Sequence, residues 1–203
     1  GGKRVKGTCL FFGDQPKSLA KMPALVKRHP GRIVAARIHA FRKDRIPDFD
    51  TPAVGRLWKQ AAELGLAVQL HFEPKYAGGF EKYIRRFPQT TVIIDHLGRP
   101  LQATTREHAK VFAWARYPNT IIKVASLPVP GAKVSRPIGP IIRRLVEAYG
   151  PRRSIYGGGF NGAATPASYR AFRERVIGYL SSFSKKDRDL VLGGTAARIF
   201  GFA

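Results

Sequence analysis

Residues 92–98 read Val-Ile-Ile-Asp-His-Leu-Gly, a short apolar run that delivers a carboxylate, Asp95, and an imidazole, His96, to its carboxyl end. Barrel and open α/β enzymes keep their chemistry at that end of their strands. The pattern recurs twice, since residues 32–39 run from Arg32 to His39 and residues 66–72 carry His71 just before Phe72. Three imidazoles at one rim could relay a proton in a hydrolysis or hold a divalent metal. His39, His71 and His96 with Asp95 or Glu73 would make a three-histidine, one-carboxylate cluster. Against it, neighbouring residues on a strand point to opposite faces, so Asp95 and His96 are not expected to aim inward together. Each histidine alone would equally suit a rim position satisfied by a backbone carbonyl.

Other residues carry weaker signals. Gly157-Gly158-Gly159 follows a strand and could let backbone N–H groups approach an anion, but no P-loop lysine or Gly-x-Gly-x-x-Gly helix start accompanies it. Lys123 interrupts an apolar strand and is a candidate for the interior or for snorkelling to the rim. Cys9 lacks a nucleophile-elbow context and reads as core packing, and Trp58 and Trp114 read as helix residues packed on a sheet.

The elements that must position these residues alternate along the chain. Strands are predicted at 6–12, 33–39, 67–72, 92–95, 121–125 and 154–157, and helices at 18–29, 52–64, 80–87, 104–115, 137–149 and 165–180. Ser18 and Thr51 are expected as N-caps, Pro52 at a first helical position, and Gly65 and Gly150 just past helix ends. Six βα units imply an α/β domain with a parallel sheet, two units short of a closed (β/α)₈ barrel. The 203 residues form one domain on this reading, without linker, repeat or low-complexity tract.

Composition adds a second theme. The 36 Lys and Arg against 13 Asp and Glu give a formal charge of +23, which opposes compaction and calls for a polyanionic partner. The clusters Arg85 and Arg86, Arg143 and Arg144, Arg152 and Arg153, and Lys185 and Lys186 are the candidate phosphate contacts. No apolar stretch approaches 18 residues, which argues against a membrane span. The single cysteine suits an intracellular, reducing compartment, cytoplasm or an organelle matrix such as the mitochondrion. The opening Gly-Gly-Lys-Arg-Val-Lys has no apolar signal core and reads as a cut within a longer sequence.

Residues 6–12, 69–72, 93–100, 155–160 and 193–201, above all Asp-His-Leu-Gly-Arg-Pro and Gly-Thr-Ala-Ala-Arg-Ile-Phe-Gly, resemble the amidohydrolase-related family of TIM-barrel proteins. That family includes metal-dependent hydrolases, aminocarboxymuconate semialdehyde decarboxylase and a pyrone dicarboxylate lactonase. The resemblance spans essentially the whole chain and implies strands three to eight of the family barrel. It places His71 and His96 at middle-strand catalytic or metal positions. The His-x-His pair of the first strand has no counterpart, and no acid stands near Gly158 or Gly159, where the last-strand aspartate belongs.

The expectation is therefore a barrel relative with a vestigial active site and no cofactor, acting as a basic, RNA-binding component of a ribonucleoprotein assembly such as a ribosome, alongside other proteins. The alternative is a metal-dependent hydrolase, decarboxylase or lactonase, using a divalent metal such as zinc on a small-molecule substrate, whose N-terminal strands lie outside this sequence.

Overall fold

A computed structural model describes residues 5–41, 43–125, 127–128, 131–158 and 162–202. Six parallel strands form one sheet in sequential order: β1 (Gly7–Leu10), β2 (Ile33–Ala40), β3 (Ala67–Phe72), β4 (Val92–Ile94), β5 (Thr120–Val124) and β6 (Ser154–Tyr156). Each link between neighbours is a helical crossover, as parallel pairing requires. These are α1 (Pro16–Arg28), α2 (Ala53–Glu63), α3 (Ala77–Arg86), α4 (Thr105–Ala113) and α5 (Ile138–Tyr149). After β6 come α6 (Pro166–Tyr179), the short α7 (Lys185–Asp189) and α8 (Thr195–Phe200). The architecture is the predicted one: an α/β, TIM-barrel-like sheet of six βα units, with β1 and β6 as its edges.

The register assigns every strand residue to a face. Arg37 lies opposite Gln69 and His39 opposite His71 between β2 and β3, while Gln69 pairs with Ile93, and Ile93 with Ile121. This set faces the barrel interior. The alternate set, Ile38, Leu70, Ile94 and Ile122, faces the helices and joins the main core with Leu57, Trp58, Phe80 and Trp114. Trp58 and Trp114 are fully buried, as expected, and truncating either to alanine would cost about 3–5 kcal/mol. Cys9 is half-buried against the same core. The lower interior is a small apolar layer of Ala35, Ala67, Ile93, Ile121 and Ile155, closed by Ala196, Ile199 and Phe200 of α8.

Local chemistry explains most boundaries. Thr104 and Glu107 form a reciprocal capping box at α4, and Thr165 and Ser168 do the same at α6. Gly65 and Gly150 lie at helix ends with φ of +66° and +77°, in the left-handed region that glycine enters without cost. Ser18 is not an N-cap: α1 starts earlier, at Pro16, and the Ser18 hydroxyl instead accepts from the Phe12 amide at 2.9 Å. Pro52, not Thr51, occupies the cap of α2. Among the described residues no helix is long and apolar enough to cross a membrane.

Candidate active site

The carboxyl ends of β2 to β5 converge on Asp95. Its side chain is buried and accepts from Gln69 Nε2 at 2.8 Å to each oxygen and from Arg37 Nη2 at 2.8 Å, and Lys123 Nζ lies 3.2 Å away. Burial pushes the Asp95 pKa up, but Lys123, Arg37 and the Gln69 amide outweigh it and hold the carboxyl below its ordinary value. Lys123 thus takes the interior option. Gly157 makes room for it, because a Cβ there would stand 2.6 Å from Lys123 Cε.

Above this carboxylate the three predicted histidines meet. The ring centroids of His39 and His71 are 4.4 Å apart, and those of His71 and His96 are 4.9 Å apart. Asp95 and His96 therefore aim inward together, contrary to the strand-alternation expectation. The reason is local: β4 ends at Ile94, and His96, Leu97, Gly98 and Arg99 all have φ between +54° and +66°. A left-handed turn replaces the pleat and carries His96 back over the sheet. Left-handed conformations cost about 1–2 kcal/mol for each non-glycine residue, so the surroundings must compensate. His108 does part of this from below, its Nε2–H donating to the Leu97 carbonyl at 2.7 Å. Arg136 holds the next loop through the carbonyls of Pro100 and Ala103.

Arg99, delivered by the same turn, donates Nη2 to His71 Nε2 and lays its guanidinium 3.8 Å from the Phe41 ring centroid. Phe41 stacks in turn on His71, with centroids 5.3 Å apart and planes 14° off parallel. Because a guanidinium only donates, His71 accepts at Nε2 and carries its proton on Nδ1. Burial, then Arg37 and Arg99, lower the His71 pKa to about 3. Burial and Arg99 lower His96 to about 4, against the opposing pull of Asp95. Both rings are neutral at pH 7.

Four buried nitrogens at this rim have no hydrogen-bond partner among the described residues: Nε of Arg37 and of Arg99, and Nδ1 of His71 and of His96. A space of about 200 Å³ lined by His96, Arg99, Leu101, Pro128 and Ile138 adjoins two of them. A second of the same size lies toward the lower apolar layer, lined by Gln69, Ile93, Lys123, Tyr156 and Phe200.

A zinc ion does not fit these residues by themselves. Among the described residues no group of three or more His, Cys, Asp or Glu is arranged to hold a metal. The lone pair of His71 Nε2 already faces a cation, and Asp95 is engaged by two more. Glu73, the other candidate carboxylate, is turned to Lys75 at 2.8 Å. The glycine run is only partly visible, since Gly159 lies outside the described residues.

Sequence reasoning passed over Arg37, Gln69, Arg99 and Phe41. Strand periodicity offered a signal for three of them, as Arg37 and Phe41 flank His39 at a spacing of two and Gln69 stands two residues before His71. Arg99 had no such signal, because it reaches the site only through the left-handed turn.

The predicted phosphate contacts scatter. Arg85, Arg86, Arg144, Arg152, Lys185 and Lys186 are exposed and Arg143 is half-buried. Lys185 pairs with Asp189 at 2.7 Å. Arg153 is turned inward, donating at 2.9 Å to the carbonyls of Tyr117 and Ala115. Lys6, Arg56, Lys82, Arg175, Arg188 and Arg198 also donate to backbone carbonyls. Part of the cation excess therefore finds partners that require no carboxylate.

Comparison with known proteins agrees with this fold. The structure superposes on a zinc-bound amidohydrolase from Burkholderia multivorans with a TM-score of 0.73 at 20% identity, covering 90% of this chain and 71% of the other. It superposes on a candidate 2-pyrone-4,6-dicarboxylic acid hydrolase from Pseudomonas putida with a TM-score of 0.74 at 19% identity, covering 100% and 74%. A 5-carboxyvanillate decarboxylase from Sphingomonas paucimobilis gives 0.63 at 16% identity, covering 98% and 68%. At these identities the likeness is one of fold. No curated protein matches the chain in sequence. The amidohydrolase family model, however, matches residues 31–202, and on that match the chain belongs to the amidohydrolase family.

Proposed function

We propose that this rim is the larger part of an active site that hydrolyses or decarboxylates a small carboxylate-bearing substrate. The observation that carries the reading is the set of unpartnered nitrogens on Arg37, Arg99, His71 and His96, gathered around one carboxylate that is already fully engaged. Buried donors without acceptors are costly, and a ligand that supplies acceptors recovers that cost. Three cations against one anion make the missing acceptor an anionic one.

In this reading Arg37 and Arg99 receive the substrate carboxylate, a planar group matched to a guanidinium fork. His96, neutral and with Nδ1 unengaged, can donate from that nitrogen to a carbonyl oxygen of the substrate. The family supports the reading at a coarser level, and two of the structural neighbours are named for the hydrolysis or decarboxylation of a carboxylic acid. Neither the family nor these neighbours point to a ribosomal role. The chain spans about 70% of its neighbours' length, so further residues of a complete barrel would complete the site.

The test is a panel of pyrone lactones and hydroxybenzoates assayed with a complete barrel that carries this chain. Arg99→Ala should raise KM for carboxylate substrates about tenfold or more, as expected for loss of a charge-assisted bond. Equal turnover of substrates with and without a carboxylate would count against the proposal.

A further inference from the structure

The opposite end of the barrel has a different character. Helices α1 to α3 run antiparallel to the strands, so their last turns surround the amino ends of β2 to β4. There the structure contains a cleft of about 590 Å³. Its floor is apolar, with Ile33, Leu66, Ile199 and Phe200, and its polar walls come from Lys6, Arg198 and the Gln89–Thr91 turn. No aspartate or glutamate lines it.

The turns that frame this cleft are basic. Lys27 and Arg28 end α1, and Arg85 and Arg86 end α3. All four are exposed or half-exposed. Glu63, at the end of α2, is the carboxylate of these three turns and is taken up by Lys59 at 3.7 Å. At the other end Asp14, Asp44, Asp48, Glu73 and Asp95 all follow the carboxyl ends of strands, whereas Glu147 closes α5 at the amino end. Cations in a helix's last turn do complement its dipole, but that effect is worth only about 0.3–1 kcal/mol each and gives no reason for the cleft lining to lack carboxylates.

We propose that this cleft and its basic frame form a binding surface for single-stranded nucleic acid, separate from the candidate active site. Phosphates would run along Lys27, Arg28, Arg85 and Arg86, with Lys6 and Arg198 at the cleft mouth. A base would lie on the apolar floor against Phe200. Long exposed cations beside an apolar, aromatic floor is the combination that nucleic-acid channels use, and it favours this partner over an acidic peptide, which has no bases to place. Recognition of this kind is insensitive to sequence, because phosphates carry the contacts.

The test uses the full chain and a fluorescein-labelled oligouridine, followed by anisotropy at about 50 and about 200 mM salt, the range over which phosphate contacts lose most of their affinity. The triple variant Arg28→Glu, Arg85→Glu and Arg86→Glu should bind at least ~10-fold more weakly and with a flatter salt slope. The matched variant Arg143→Glu, Arg144→Glu and Arg170→Glu, with the same change in charge on the outer wall, should lose less than about 3-fold. Circular dichroism melting verifies that both are folded, and the neutral triple Arg28→Gln, Arg85→Gln and Arg86→Gln should fall between wild type and the reversal. Equal losses in the two charge-reversed triples would show diffuse attraction without a site and overturn the proposal. So would absence of oligouridine binding at the lower salt, with binding to phosphatidylserine vesicles or to a polyglutamate peptide instead.

Discussion

The guanidinium of Arg99 donates to Nε2 of His71, on the side from which a metal ion would otherwise approach that imidazole. One side chain thereby blocks a coordination position and fixes the tautomer of the ring, while the stack on Phe41 holds both in place.

This pair sets the first prediction. The wild-type chain should hold no stoichiometric zinc by elemental analysis, and Arg99→Ala should bind added zinc about tenfold more tightly, the scale on which groups around a ligand tune affinity. About one tightly held metal per wild-type chain, lost on His71→Ala or His96→Ala, would contradict it.

Acid stability follows from the same rings. His71 and His96 have folded pKa values of about 3 and about 4, below the ordinary 6.5 that they regain on unfolding. The unfolded chain therefore takes up protons first as pH falls. Stability should be level above pH 6.5, decline as pH drops through 6 and 5, and continue falling to about pH 3. Asp95 adds its own loss only at the acid end, since its folded pKa lies below its ordinary value. Melting temperatures measured across this range should decline less in a His71→Asn, His96→Asn double variant.

Asp95 anchors Arg37, Gln69 and Lys123 together. Asp95→Asn should destabilise the fold by about 2–3 kcal/mol, less than the ~3–5 expected when a fully buried pair loses one partner. The discount reflects the Arg37 and Lys123 side chains, which keep 31% and 27% of their exposure. Urea denaturation reads the difference, and an unchanged midpoint would show that the pairs contribute nothing net.

The left-handed turn has its own probe. Gly98 has φ of +66°, and a Cβ there would stand 2.6 Å from Val111 Cγ2. Gly98→Ala should cost at least ~2 kcal/mol from backbone strain and overpacking together, and should displace His96 and Arg99. Loss of carboxylate-substrate turnover beyond what unfolding explains would mark the displacement, whereas Gly131→Ala, in an open turn with φ of +78°, should cost only the strain.

Much of this architecture was legible along the chain. Alternating strand and helix patterns, with glycines at helix ends, determined six βα units and placed Asp95, His71 and His96 at one rim. These are local properties, set by side-chain periodicity and by backbone conformations that few residues adopt. The charge of +23 was equally plain, but its meaning was not. Only folding shows that Arg153 and Arg175 are spent on backbone carbonyls while Lys27, Arg28, Arg85 and Arg86 gather at one end. Tertiary structure also decided the site's electrostatics. Arg37 and Lys123 meet Asp95 across 58 and 28 residues of sequence, and Arg99 meets His71 through a turn whose left-handed backbone no propensity at His96 or Leu97 announces. Such contacts depend on register between strands and on packing from beneath the turn, which are relations between segments and are encoded in none of them alone.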